Sequence, residues 1–259
     1  MRILIAGTDT GVGKTWVGCA LARALRAAGH RVVAVKPVET GCGEEEHEGE
    51  DGVFLAKSTG QAEPTAALVR LADPVAPALA LELAGRDVEF GELRSEIERH
   101  AVAADVLLLE GAGGLLTPIT WDWNATDLAR AFGAWAVVVG SDRLGVINHA
   151  LLTLDALARA GVPVLGVVLS APEVPDRSTG TNARAIARLS GVERILAAPR
   201  TSEPAEAAQA LAPVLGWLES VDSERFGAAS ITLPVPPRDS TGPHGPRNAG
   251  GARGPPVAP

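Results

Sequence analysis

The sequence predicts an α/β fold, a mostly parallel sheet flanked by helices on both faces. Three observations carry the prediction. Short continuous apolar runs recur, as in Val106-Leu-Leu-Leu109 and Ala136-Val-Val-Val139, the pattern of strands buried on both faces. Between them lie longer stretches of helical period. A glycine-rich turn ending Gly13-Lys14-Thr15 joins the first run to the first helix. Strands alternating with helices build a sheet whose ligands bind at its carboxyl edge.

Taken in order, the strands are expected at 2–6, 32–36, 67–71, 105–110, 135–140, 163–169 and 194–198. The helices are expected at 14–28, 51–58, 76–84, 89–103, 125–132, 146–160, 179–190 and 204–219. The helix after Gly145 shows the period through Ile147, Ala150-Leu151, Leu154 and Leu157-Ala158. Gly29 and Gly161 stand where helix C-termini belong. Cys42–Gly52 is acidic, with five Glu and one Asp, and is expected to be a mobile loop. From Ser223 the chain turns Pro/Gly-rich, as in Pro234-Val-Pro-Pro237, and cannot build a core. The expected organisation is one domain over 1–222 and a disordered tail over 223–259.

Composition narrows the function classes. A net charge of −8 argues against nucleic acid as a bulk partner. With Cys19 and Cys42 alone, no disulfide framework is implied, and a reducing cytoplasm is the expected location. The first apolar run is too short for a secretory leader, and no stretch approaches the ~20 residues of a membrane span. Lysine is rare: Lys14, Lys36 and Lys57 stand against a background of Arg. Lys14 and Lys36 both follow predicted strands. An ammonium is a compact point charge that Arg does not replace in a tight pocket, so Lys36 is either a site residue or a solvated strand end.

Strand, glycine loop, Lys-Thr and helix together form a phosphate-binding loop of the P-loop NTPase type. Glycines let the backbone wrap a phosphate, and the helix start adds positive dipole. Lys14 reaches terminal phosphates, and the Thr15 hydroxyl suits Mg²⁺. The strict pattern wants Gly five residues before Gly13, where this chain has Thr8, with Gly7 one residue earlier. The loop is thus a variant or a chance glycine cluster, and its strand and helix favour the variant.

Further features fall on the same sheet edge. Lys36-Pro-Val-Glu-Thr-Gly41 closes the second strand, and Asp51 opens a helix, as metal ligand or as simple cap. Glu110-Gly-Ala-Gly-Gly114 closes the strand before it; an acid there is the Walker B position beside Mg²⁺, or a chance strand-terminal Glu. Leu144-Gly-Val-Ile-Asn-His149 opens the long helix, as an anion site or an ordinary helix start, with His149 expected to pack.

These four motifs, with Thr117-Pro118, match in order and spacing over roughly 1–220, and together the chain resembles dethiobiotin synthetase. The early Gly7 is that family's own form of the loop. The resemblance implies an ATP-dependent cyclo-ligase, in which 7,8-diaminononanoate, CO₂ and ATP give dethiobiotin, ADP and phosphate. It implies nucleotide contacts at Gly11, Val12, Gly13, Lys14, Thr15 and Trp16, at Asp51, at Glu110, Gly111, Ala112 and Gly113, and at Ser170, Pro199, Arg200 and Thr201. Lys36, Lys14 and Thr10 are the implied catalytic groups, and Thr15, Asp51 and Glu110 the implied Mg²⁺ ligands. Thr10, Lys36 and Thr40 would hold the reacting end of the substrate. Leu144, Gly145, Val146 and Asn148 of a second subunit would hold its remote carboxylate, so a homodimer is implied. One departure stands out: where the family commonly carries an adenine-reading Asn, alignment through Gly166-Val-Val-Leu169 gives Ser170. A hydroxyl cannot make an amide's paired contact, so weak base selectivity, with other triphosphates accepted, is expected.

Two other readings fit parts of this pattern. A partitioning ATPase of the same fold would carry a lysine early in the loop, where Thr8-Asp9-Thr10 stands. A cobyrinate-type amide synthase would need a glutaminase domain with a nucleophilic Cys, a setting neither cysteine has.

Overall fold

Apolar runs broken by glycine and proline set the element boundaries, and the computed structural model, which describes residues 1–45 and 48–227, shows what they connect. The elements are β1 (Arg2–Gly7), α1 (Lys14–Ala27), β2 (Val32–Val35), β3 (Val38–Thr40), α2 (Asp51–Thr59), β4 (Val69–Leu71), α3 (Pro77–Leu83) and α4 (Phe90–Ala101). They continue with β5 (Val106–Glu110), α5 (Ala125–Phe132), β6 (Trp135–Ser141), α6 (Val146–Arg159), β7 (Val164–Ser170), α7 (Asn182–Ser190), β8 (Ile195–Ala198) and α8 (Pro204–Gly227).

Six strands form one parallel sheet in the order β2-β5-β1-β6-β7-β8. Successive side chains on a strand face opposite ways, and the core divides accordingly. Ile3, Ile5, Leu108, Val137 and Val168 pack with α1 and α8 on one face. Leu4, Leu107, Leu109, Val138 and Leu169 pack with α4, α5 and α6 on the other. Both faces are apolar, which is why these strands read as unbroken runs.

The register sets the site. Val35 lies opposite Leu109 and Ile5 opposite Glu110, so β2, β5 and β1 release Lys36, Glu110 and the glycine loop side by side.

Three expectations change. Val38-Glu39-Thr40, read from the sequence as part of a loop motif, is a strand, and the strand expected at 67–71 pairs with it in a separate two-stranded parallel ribbon. Three residues are too few to show a period. α7 begins at Asn182 rather than 179, because the Asp142 carboxylate accepts the Gly180 N–H at 2.8 Å and the Asn182 amide at 2.7 Å, holding 178–181 as a turn. α8 runs to Gly227, past the boundary expected at 222/223; residues 228–259, the body of the expected tail, lie outside the described residues. Among the described residues, no helix is long and apolar enough to cross a membrane.

Candidate active site

Gly7 turns β1 into the loop where no side chain fits. A Cβ there would stand 2.8 Å from the carbonyls of Asp9 and Gly113 and from the Lys14 side chain. The displaced glycine is thus a steric requirement of this loop. Gly13 caps α1, and Lys14 and Thr15 are its first residues. The first N–H groups of a helix have no intrahelical acceptor and face the open edge. Lys14 bends back over the loop, its Nζ 3.1 Å from the Asp9 carbonyl, and is 6% exposed.

Beneath the loop four side chains converge. Lys36 Nζ lies 2.7 Å from Glu110 Oε1 and 2.8 Å from Asp51 Oδ2. Thr15 Oγ1 lies 2.6 Å from Asp51 Oδ1 and 2.9 Å from Glu110 Oε1; with one proton, the hydroxyl donates to one carboxylate at a time. Lys36 is therefore a buried, doubly paired ammonium and not a solvated strand end. Asp51 is not a cap either: Glu50 occupies the capping position, and the Asp51 side chain points into the cluster.

Burial and charge compete here. Burial pulls the Lys36 ammonium down, but Glu110 and Asp51 outweigh it and hold the group charged, its pKa raised. Burial pushes Asp51 up, and the Lys36 charge, with hydrogen bonds from Lys36 and Thr15, brings it below the usual carboxylate range. Glu110 is raised, because burial exceeds the help it receives from Lys36. Lys14 is lowered to about 8, by burial first and by Lys36 second. The Oε2 of Glu110 is buried and has no hydrogen-bond partner. A hydroxyl and two carboxylates, one of them with this orphaned oxygen, form an all-oxygen donor set, the kind a hard divalent cation takes.

Two cavities flank the loop and share Gly11 and Gly13. The first, about 390 Å³, is lined by Thr10, Lys14, Thr15, Lys36, Glu39, Thr40, Asp51, Ala112 and Gly113. The second, about 720 Å³, is lined by Val12, Trp16, Ser170 and Pro199-Arg-Thr201, with Ser141, Arg143, Glu173, Val174 and Ser202 among the others. The Trp16 indole is fixed by its Nε1–H on the Thr201 carbonyl at 2.8 Å.

The structure thus brings most of the sequence-derived residues together, with three departures. Glu110 and Gly111 line neither cavity: Glu110 is buried behind Lys36 and Thr15, and Gly111 donates its N–H to the Ile5 carbonyl while its own carbonyl accepts from Lys36. Ser170 lines the second cavity, but its hydroxyl donates to the Val12 carbonyl at 2.7 Å, so its proton is spent on the loop. His149, which was expected to pack, is exposed at the start of α6; Leu144, Gly145, Val146 and Asn148, expected to serve a second copy, lie away from both cavities of their own chain, with Leu144, Gly145 and Asn148 exposed. Sequence reasoning missed Glu39 as a separate group, although it lies inside the Lys36–Gly41 motif. Arg143 and Glu173 were also missed; they carried no motif.

Comparison with known proteins agrees with this geometry. Residues 1–207 match the family model described as an AAA domain. The chain is 41% identical to an ATP-dependent dethiobiotin synthetase BioD of Anaeromyxobacter dehalogenans (strain 2CP-C), over 82% of this chain and 96% of the relative. It is 39% identical to one of Aquifex aeolicus (strain VF5), over 74% of this chain and 86% of the relative. In fold it is similar to the cell division ATPase MinD of Pyrococcus furiosus, with a TM-score of 0.53 at 16% identity, covering 85% of this chain and 98% of that one. The likeness to MinD is one of fold, whereas the sequence likeness is to the synthetases over nearly their whole length: the chain belongs to the AAA-domain family and, within it, to the ATP-dependent dethiobiotin synthetases.

Proposed function

We propose that the chain closes a ureido ring on 7,8-diaminononanoate, using CO₂ and ATP and releasing dethiobiotin, ADP and phosphate. The observation that carries the reading is the cluster of Lys36, Asp51, Thr15 and Glu110, of which Lys36, Asp51 and Thr15 line a cavity beside the glycine loop and Glu110 is buried behind them. One amine nitrogen bonds the carbon of CO₂ and loses a proton, forming a carbamate. A carbamate oxygen then bonds the γ-phosphorus as ADP leaves. The second amine attacks the carbonyl carbon, and phosphate departs.

Anion must meet anion in the second step, so positioning and cations around the transferred group govern it. Lys36 and Lys14 supply fixed positive charge, and Thr10 and Thr40 offer hydroxyls along the same wall. Thr15, Asp51 and Glu110 are the residues that would hold Mg²⁺, which when bound neutralises phosphate charge. The Lys36 ammonium sits between the two carboxylates, 2.8 Å from Asp51 and 2.7 Å from Glu110, and orients both.

The substrate's remote carboxylate is placed at the α6 start of a second copy. Leu144 and Leu152, 82% and 61% exposed, leave apolar surface on that helix, which supports a homodimer; light scattering on the purified protein tests it. The proposed location is the cytoplasm, supported by two buried free cysteines. The deciding assay mixes diaminononanoate, bicarbonate, Mg²⁺ and each of the four common triphosphates, with dethiobiotin read by mass. Product with at least one triphosphate is expected, and none with any would refute the reading.

A further inference from the structure

The start of α2 is gripped from outside the helix. A capping side chain usually satisfies the first N–H groups, but Glu50, at the capping position, makes no such bond. The Glu39 carboxylate reaches across from β3 instead, accepting the Asp51 N–H at 2.6 Å and the Gly52 N–H at 2.9 Å. Glu50 turns to Arg70 on β4 and takes two guanidinium contacts, at 2.6 and 2.8 Å. Glu39 and Arg70 are direct partners in the β3–β4 ribbon. One ribbon therefore holds three successive residues, Glu50, Asp51 and Gly52. Arg70 also holds the carbonyls of Gly43 and Glu45, so the acidic loop expected to be mobile is pinned at its stem. On another side the helix lies flush against the chain, since a Cβ at Gly52 would stand 2.3 Å from the Ala67 nitrogen.

Such a clamp is an expensive way to cap a helix. Glu39 is 8% exposed, and burial raises its carboxyl above the usual range despite the two N–H contacts. The nearby Asp51 charge opposes it further. A neutral Ser, Thr or Asn at the capping position would close the same N–H groups without that repulsion. Glu39 also meets Cys42 and Glu50, with ligand atoms within 4.8 Å of one another. The Glu39 and Glu50 charges are already committed to α2 and to Arg70, so the clamp accounts for this cluster without an ion.

What the clamp does is fix the one residue of α2 that enters the site. We propose that Glu39 is a positioning residue acting through Asp51: by holding the Asp51 backbone it keeps Oδ1 on Thr15 and Oδ2 on Lys36, and so builds the Mg²⁺ ligand set before the metal arrives. The proposal rests on the Mg²⁺ reading above. Residues standing behind metal ligands typically cost about 10- to 100-fold in metal affinity when removed.

Calorimetry on the full chain tests this. Mg²⁺ is titrated into protein mixed with a non-hydrolysable ATP analogue, for wild type, Glu39→Ala and Glu39→Gln. The Mg²⁺ concentration for half-maximal binding is expected to rise about tenfold in Glu39→Ala and less in Glu39→Gln, whose amide oxygen keeps one N–H. Binding of the analogue without metal should stay within about twofold, because the loop and Lys14 are untouched. In turnover, kcat at limiting Mg²⁺ should fall and recover at saturating Mg²⁺. If the variants only melt earlier and their Mg²⁺ titrations overlay the wild type, Glu39 is a helix cap and the proposal fails. It fails equally if the KM for diaminononanoate rises with the Mg²⁺ requirement unmoved, since Glu39, which lines the cavity, would then touch substrate. Should Glu39→Ala not fold, Glu39→Gln carries the same comparison. A wild type that binds Mg²⁺ and nucleotide but makes no dethiobiotin would sink the ring-closure reading while leaving the Glu39 titrations decisive.

Discussion

Beneath the glycine loop, Lys36, Asp51, Thr15 and Glu110 touch one another at 2.6–2.9 Å, beside a cavity of about 390 Å³ that the first three line. On the other side of the loop, where the base is expected, a cavity of about 720 Å³ is lined by Trp16, by exposed Pro199 and Arg200, and by a serine whose proton faces the loop. One end is wired tightly and buried; the other is roomy and holds few committed polar groups. Buried charges sense small displacements, whereas selectivity needs a paired polar edge. On the proposed function, the catalytic demand is expected at the first cavity and tolerance at the second.

The sharpest way to break this contrast is Lys36→Ala. It removes the ammonium between two carboxylates, and kcat should fall on the order of 10²–10³, by analogy with other charge-stabilising donors. Nucleotide affinity should change far less. Lys36→Arg should fail as well, since the site leaves Lys36 only 3% exposed; steady-state kinetics showing normal kcat in the Arg variant would defeat the tight-pocket argument.

Next comes charge without shape. Asp51→Asn should raise the Mg²⁺ requirement by about tenfold or more, the scale at which even outer partners of a metal act. A changed melting temperature with an unmoved Mg²⁺ titration would demote Asp51 to a structural role.

The third test uses pH. Free Lys14 titrates at about 8, and bound phosphate raises that value by favouring the ammonium. Binding is therefore strongest below pH 8 and is lost as pH rises towards the bound-state pKa. Nucleotide affinity should fall about tenfold between pH 7 and 9. A flat profile by fluorescence or calorimetry would mean that Lys14 is charged throughout.

At the base end effects should be small. ATP should be preferred over CTP or GTP by no more than about tenfold, about 1.4 kcal/mol. Ser170→Ala frees the Val12 carbonyl and should shift the KM of every triphosphate by a similar factor. Ser170→Asn, which on sequence grounds would favour ATP, also gives up the Ser170 hydroxyl's bond to the Val12 carbonyl. Competition of four triphosphates reads both points, and an ATP preference above about a hundredfold would assign selectivity to the loop around Pro199–Thr201. Smallest of all, truncation after Gly227 should leave turnover unchanged, on the composition of the removed stretch; loss of activity would show that the stretch takes part.

The sequence by itself determined the elements whose cause is local. Ile3 to Ala6 and Val106 to Leu109 are continuous apolar runs, which reads as buried strand, and Gly13-Lys-Thr15 between strand and helix marked the turn where a phosphate loop is expected. Tertiary structure decided what depends on neighbours distant in the chain. Whether Lys36 was solvated or buried hung on β5 lying between β2 and β1, which sets it against Glu110, 74 residues away. Whether Asp51 capped a helix or entered the site hung on Glu39 taking over the cap from a three-residue strand that no period reveals. The second cavity draws on four separate segments, and Ser170 turned its hydroxyl into the loop only because β7 ends beside Val12. Periodicity and turn chemistry act over a few residues and can be read along the chain; strand order and register come from packing across it, and they choose which side chains meet.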